Sequence, residues 1–186
     1  MRARRWFRSL PLWMLGGTLL FAASSASAPI EVVPLEPQVV AYLQRTGPAT
    51  GIGDAIRELR AWAEREGLEV AGPTSVLFYT DPGSAPDATL FWEARLPLAL
   101  DKPGLTPPPA GGVGVIRSER IRAAACGEQR ALPGGRGGEV AALKDWIRGK
   151  GYAVNGPRIE TYLDGLGGDA TQPVRMRLCL PVTGPR

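Results

Sequence analysis

A chain of 186 residues is long enough for one domain with a core of its own and short for two. It carries 22 basic against 18 acidic side chains, but Arg2, Arg4, Arg5 and Arg8 fall in a leader without acids, leaving 18 against 18. That balance removes the basic excess on which nucleic-acid binding depends. With no histidine anywhere, the chain also lacks the usual haem ligand, a Ser-His-Asp triad and any histidine-based metal cluster. Neither a metal, a cofactor nor a nucleic-acid partner is expected.

The leader arginines precede an apolar run over residues 10–23 and small residues over 24–28, the order of a secretory signal peptide. Pro11, Gly16 and Gly17 interrupt the run, and its length of about 14 residues is short of the roughly 20 that a membrane-spanning helix needs. The chain is therefore expected in the periplasm or outside the cell, cleaved after Ala26 or Ala28, with no membrane span thereafter. An uncleaved leader would leave it anchored. Arg4-Arg5 before Trp6-Phe7 also has the form of a twin-arginine signal, which implies folding before transport.

In the remainder, residues 38–43 fit a strand. Asp54 can cap a helix with Ile56, Leu59, Trp62 and Ala63 on one stripe, ending at Gly67. Gly72-Pro73 turns the chain into an extended run over 74–80, which returns over 90–98 and closes on Leu96-Pro97. The prolines at 103, 107, 108 and 109 make 99–112 a stiff linker. A second strand follows over 121–126, then a helix with Val140, Leu143, Trp146 and Ile147, ending at Gly151. After Gly156-Pro157 come extended runs over 158–163 and 174–182.

The second set repeats the first. An offset of 84 lays residues 56–98 over 140–182 without a gap and makes nine positions identical, Trp62/Trp146, Gly67/Gly151 and Pro73/Pro157 among them. Such residues fix backbone geometry and core volume, so the match reports shared structure. The expected fold is α+β: two copies, about 31–98 and 113–182, of a strand-helix-strand-strand unit, with antiparallel sheets and two main helices. One helix on three strands buries too little to stand alone, so the copies should pack as one body about a pseudo-twofold axis, leaving a groove at the seam. Cys126 and Cys179 either pair, closing a loop of 53 residues worth about 4 kcal/mol, or remain two buried thiols.

The duplicated unit, the Gly-Pro after each helix, the stretch from Gly156 through Arg158, Glu160 and Tyr162, and the terminal Leu180-Pro181-Val182 together resemble the GyrI-like family over about 32–182. Its fold is shared with effector-binding domains of AraC-type and MerR-type multidrug-responsive regulators. The resemblance implies a pocket between the copies for hydrophobic, often cationic, organic molecules, with a carboxylate on the middle strand of the second copy. Glu160 stands there, and Val76 is its first-copy counterpart.

Strand alternation places Tyr162 on the face of Glu160 and Phe78 on the equivalent face; Trp92 aligns with Met176. The expected ligand-binding set is Glu160, Tyr162, Phe78, Trp92, Val76 and Met176, an aromatic surround for a cation. A carboxylate in such a groove attracts a cation by about 4 kcal/mol at 4 Å in an effective dielectric near 20. The competing reading is a surface glutamate paired with Arg158 or Arg175, beside core aromatics. Glu93 aligns with Arg177 and suggests a structural ion pair. The expected function is an exported small-molecule-binding domain. One alternative is a hydrolase of cyclopropane-type toxins, with Glu160 and Tyr162 as its working pair; the other is an envelope protein-interaction module. No segment reads as a helix-turn-helix, a departure from the regulator members.

Overall fold

The computed structural model describes residues 29–100, 112–166 and 171–184. The leader and the proline run of the linker lie outside the described residues. Within them the chain forms β1 (Glu31–Leu35), β2 (Val39–Thr46), α1 (Ile52–Arg65), β3 (Ser75–Phe78), β4 (Phe91–Pro97) and β5 (Gly114–Arg117). The second half continues with β6 (Ile121–Ala131), α2 (Gly138–Gly149), β7 (Ala153–Val154), β8 (Arg158–Tyr162) and β9 (Val174–Thr183). The fold is α+β, with all strand pairs antiparallel in one nine-stranded sheet of order β1-β6-β9-β8-β3-β4-β2-β5 and β7 beside β9.

The internal repeat is written into the strand registers. Val40 stands opposite Pro97 and Ser75 opposite Arg95; 84 residues later, Ala124 stands opposite Pro181 and Ile159 opposite Cys179. The halves meet through β3 and β8, where Val76 faces Glu160, its own equivalent. The pseudo-twofold axis therefore passes through that pair.

Two features correct the strand-helix-strand-strand reading. Each half begins with an extra strand, and the two are exchanged: β1 pairs with β6 of the other half, and β5 pairs with β2. Pro34 and a bulge between Val33 and Leu35 suit β1 to an edge, where a missing N–H is tolerated. Secondly, Asp54 is not the helix cap. A short 3₁₀ turn, Ala49–Gly51, leads straight into α1, whose N-cap is Gly51, and Asp54 lies in the first turn, paired with Arg57.

The exchange forces the sheet to curl. Six strand spacings separate β1 from β2, about 29 Å in a flat sheet. Only three residues connect them, a reach of at most about 14 Å. The ends of the sheet therefore approach each other. There the crossovers meet: Gln38 N–H donates to Ser118 Oγ (2.9 Å) and Ser118 N–H to the Gln38 carbonyl (2.8 Å).

Both helices pack on the same face. α1 buries Ile52, Ala55, Ile56, Leu59 and Ala63 against β2 and β4, while α2 buries Val140, Leu143 and Ile147 against Leu178, Leu180 and Val182. Trp62 and Trp146 are half-buried beside these clusters. The opposite, concave face carries a smaller apolar cluster of Leu77, Ala124, Ile159 and the Cys126–Cys179 pair, which is a disulfide between directly opposed residues of β6 and β9, Cα atoms 4.2 Å apart.

Candidate functional site

Short-range alternation on β8 aims Arg158, Glu160 and Tyr162 at the helix-covered face, and all three are buried. Glu160 has no exposed surface, and every lone pair of its carboxylate looks into protein. Oε1 is paired with Arg158 Nη2, while Oε2 accepts from Tyr162 Oη at 3.0 Å and from the Gly134 N–H at 2.9 Å. Arg158 Nη2 also donates to the Gly135 carbonyl at 2.9 Å, and its guanidinium lies over the Phe78 ring, 5.2 Å from the centroid. Nε and Nη1 of Arg158 have no acceptor among the described residues.

Register explains the aromatic surround. Phe78 stands between Trp92 on β4 and Arg158 on β8, and Tyr162 is paired with Met176 on β9. Val76, Phe78, Trp92, Tyr162 and Met176 are all at most 2% exposed and belong to the same core as Glu160's face. Trp92 fixes its indole by donating to the Gly47 carbonyl at 3.1 Å. Burial raises the Tyr162 phenol well above its ordinary pKa, and the adjacent Glu160 raises it further. A neutral hydroxyl donating to the carboxylate follows.

The site is closed by the loop between β6 and α2. Gly134 sits there at φ +63°, a left-handed conformation that glycine enters without steric cost. A Cβ at this position would collide with that of Ala49 and come within 3.1 Å of Phe78 Cζ. Only a hydrogen side chain lets the loop approach closely enough to bond Glu160. Arg136 ties the loop to the first half through the Ala85 carbonyl (2.8 Å) and Asp87 (2.7 Å), and Lys144 pairs with Asp81 nearby.

Two cavities flank this cluster. One of about 190 Å³ is lined by Phe78, Asp81, Lys144 and Arg158, the other of about 280 Å³ by Gly135, Arg136, Arg158 and Met176. Arg158 is the wall they share, and Glu160 lines neither. The structure thus brings all six expected residues together, but the seam they surround is filled by an internal cation rather than left open. The competing reading, an Arg158 partnership, is the contact present, although deep in the core and not at the surface. Sequence reading missed the Gly134 loop; Glu93, expected in a structural ion pair, is a second buried carboxylate on the opposite face and forms one with Arg95. Glu93 accepts from Arg95 Nε (2.5 Å), Gln44 Nε2 (2.9 Å) and Tyr79 Oη (3.4 Å). The signal for both arginine pairs was an Arg and a Glu two apart on one strand, hence on one face.

No family model and no curated protein matches the chain. Solved structures share its fold. The EcmrR C-terminal domain superposes with a TM-score of 0.63 at 12% identity, covering 84% of this chain and 98% of that one. EcmrR in a DNA complex gives 0.64 at 13% identity, and there the chain spans only 57% of the other's length. A hydrolase from Listeria innocua encoded by lin2189 gives 0.60 at 13% identity, covering 86% of this chain and 94% of that one. At such identities the likeness is one of architecture: the chain shares the α+β fold of these structures.

Proposed function

We propose that this protein is an exported binding domain for small lipophilic organic molecules, cations in particular, taken up at the seam around Glu160. The observation that carries the reading is a carboxylate with no exposed surface, on the pseudo-twofold axis, whose charge partner is a guanidinium stacked on an aromatic ring. Arg158 holds the position that a ligand cation would take: beside the carboxylate and over the face of Phe78, the two interactions that select organic cations. Ligand entry then requires displacement of the Arg158 side chain and opening of the Gly134 loop. Export rests on the leader's arginines, apolar run and small-residue end.

A matched pair of probes tests the reading. Tetraphenylphosphonium and tetraphenylborate have the same size and apolar surface with opposite charge. The cation is expected to bind the native protein weakly and Arg158→Met at least tenfold more tightly, with binding lost in Glu160→Gln; tetraphenylborate should not follow this order. Equal affinity of the native protein and Arg158→Met for the cation would show that Arg158 does not occupy the ligand's place. Both oxygens of Glu160 are engaged by three donors, which favours binding over water activation by the Glu160–Tyr162 pair.

A further inference from the structure

The concave face, on the side of the sheet away from Glu160, carries two grooves, of about 900 and 380 Å³. They are equivalents under the repeat. Pro157 and Pro181 line the larger where Pro73 and Pro97 line the smaller, and Ser118 and Arg120 take the places of Pro34 and Glu36. A duplicated fold supplies its own control, because whatever the architecture alone dictates should be the same in both.

The two have diverged in one direction. The larger groove is lined by Arg95, Arg117, Arg120 and Arg122 against a single Glu119. The smaller has Arg95 and Arg177 against Glu36 and Glu119. At the equivalent positions, Arg120 replaces Glu36 and Arg122 replaces Gln38. Arg95 replaces Cys179, so the disulfide fills in one half the place that a cationic side chain holds in the other. Arg95 is fixed by Glu93 and Arg120 meets Glu36 at 2.8 Å, whereas Arg122 has no ion-pair partner among the described residues. Between these charges the wall is apolar, with Leu77, Ile121, Pro157 and Pro181, and Tyr79 at the edge stacks on Phe91.

We infer that the larger groove is a second binding site, for an amphipathic organic anion. Its single carboxylate or sulfonate head is met by Arg122, and its aliphatic or aryl body lies along Leu77, Ile121 and the two prolines. The volume is that of a site for a ligand of drug-like size. The inference is independent of the seam around Glu160, since it concerns the other face of the sheet and the opposite ligand charge.

Titration calorimetry with dodecanoate and dodecyltrimethylammonium, both below their aggregation concentrations, tests it on the disulfide-intact protein. Dodecanoate is expected to bind one to one, and the cation of the same tail at least tenfold more weakly. Arg122→Gln, which installs the residue of the smaller groove, should weaken dodecanoate by about tenfold, the effect of one charged hydrogen bond. Arg177→Gln, removing the same kind of charge from the smaller groove, should leave the affinity unchanged. Circular dichroism of these surface variants verifies that each stays folded. Equal binding of the two detergents, an unaffected Arg122→Gln variant, or an equal loss in Arg177→Gln would each overturn the assignment.

Discussion

Arg158 and Glu160 offer the sharpest quantitative test, because their side chains are 5% and 0% exposed and each is the other's charge partner. Breaking a buried pair from one side leaves an uncompensated charge and costs about 3–5 kcal/mol. Arg158→Met is expected to fall in that range, and Glu160→Gln likewise. The double variant carries neither charge, so its loss should be well below the sum, giving a coupling energy of about 2–3 kcal/mol. Urea unfolding followed by tryptophan fluorescence reads these values; at a slope near 2 kcal/mol/M each single variant moves the midpoint by about 2 M. Tetraphenylphosphonium at 100 times its dissociation constant should return about 2.7 kcal/mol to Arg158→Met. Losses that simply add would refute the reasoning, since two side chains in contact within a core cannot be energetically independent.

Three further outcomes follow from the geometry. The folded state holds the Tyr162 proton above pH 10 while the unfolded chain releases it near its ordinary value of 10.0. Stability is therefore complete below pH 10 and falls above it by about 1.4 kcal/mol per pH unit; denaturant titrations from pH 8 to 11.5 should show this slope, and Tyr162→Phe should flatten it. Reducing Cys126–Cys179, which closes a loop of 53 residues, should cost about 4 kcal/mol and lower the melting temperature by roughly 8–16 °C in thermal scans with and without dithiothreitol. Gly134→Ala places a Cβ against Ala49 and Phe78 at a positive φ and should destabilise by about 2–4 kcal/mol in the same denaturant assay.

The parts of this fold that were legible from sequence are those fixed by local chemistry. Gly67, Gly72, Pro73 and their partners 84 residues on mark helix ends and turns, and the strand registers repeat with that same offset. Alternation alone placed Glu160, Tyr162 and Phe78 on one face. The exchanged strands were not legible, because β1 finds its partner in β6 and nothing within five residues of sequence specifies a partner so distant. Nor was the closed seam. Whether Arg158 turns toward solvent or onto Glu160 depends on the cover provided by the Gly134 loop, a tertiary contact. The glycines at 134, 135, 137 and 138 carry no local signal of this role, which depends on Ala49 and Phe78 standing against Gly134.

The exchange of β1 and β5 has a consequence for how the molecule responds to cutting. The disulfide joins two strands of the second half only, so no covalent bond other than the peptide chain at the linker holds the halves together. Each half nevertheless lends the other a strand, and the central β3–β8 pairing adds a third set of hydrogen bonds across the divide. A protease that severs the proline-rich connection between β4 and β5 would leave a nicked but intact particle. The break would stay hidden in native size measurements and come to light only when denaturant frees the two fragments from each other.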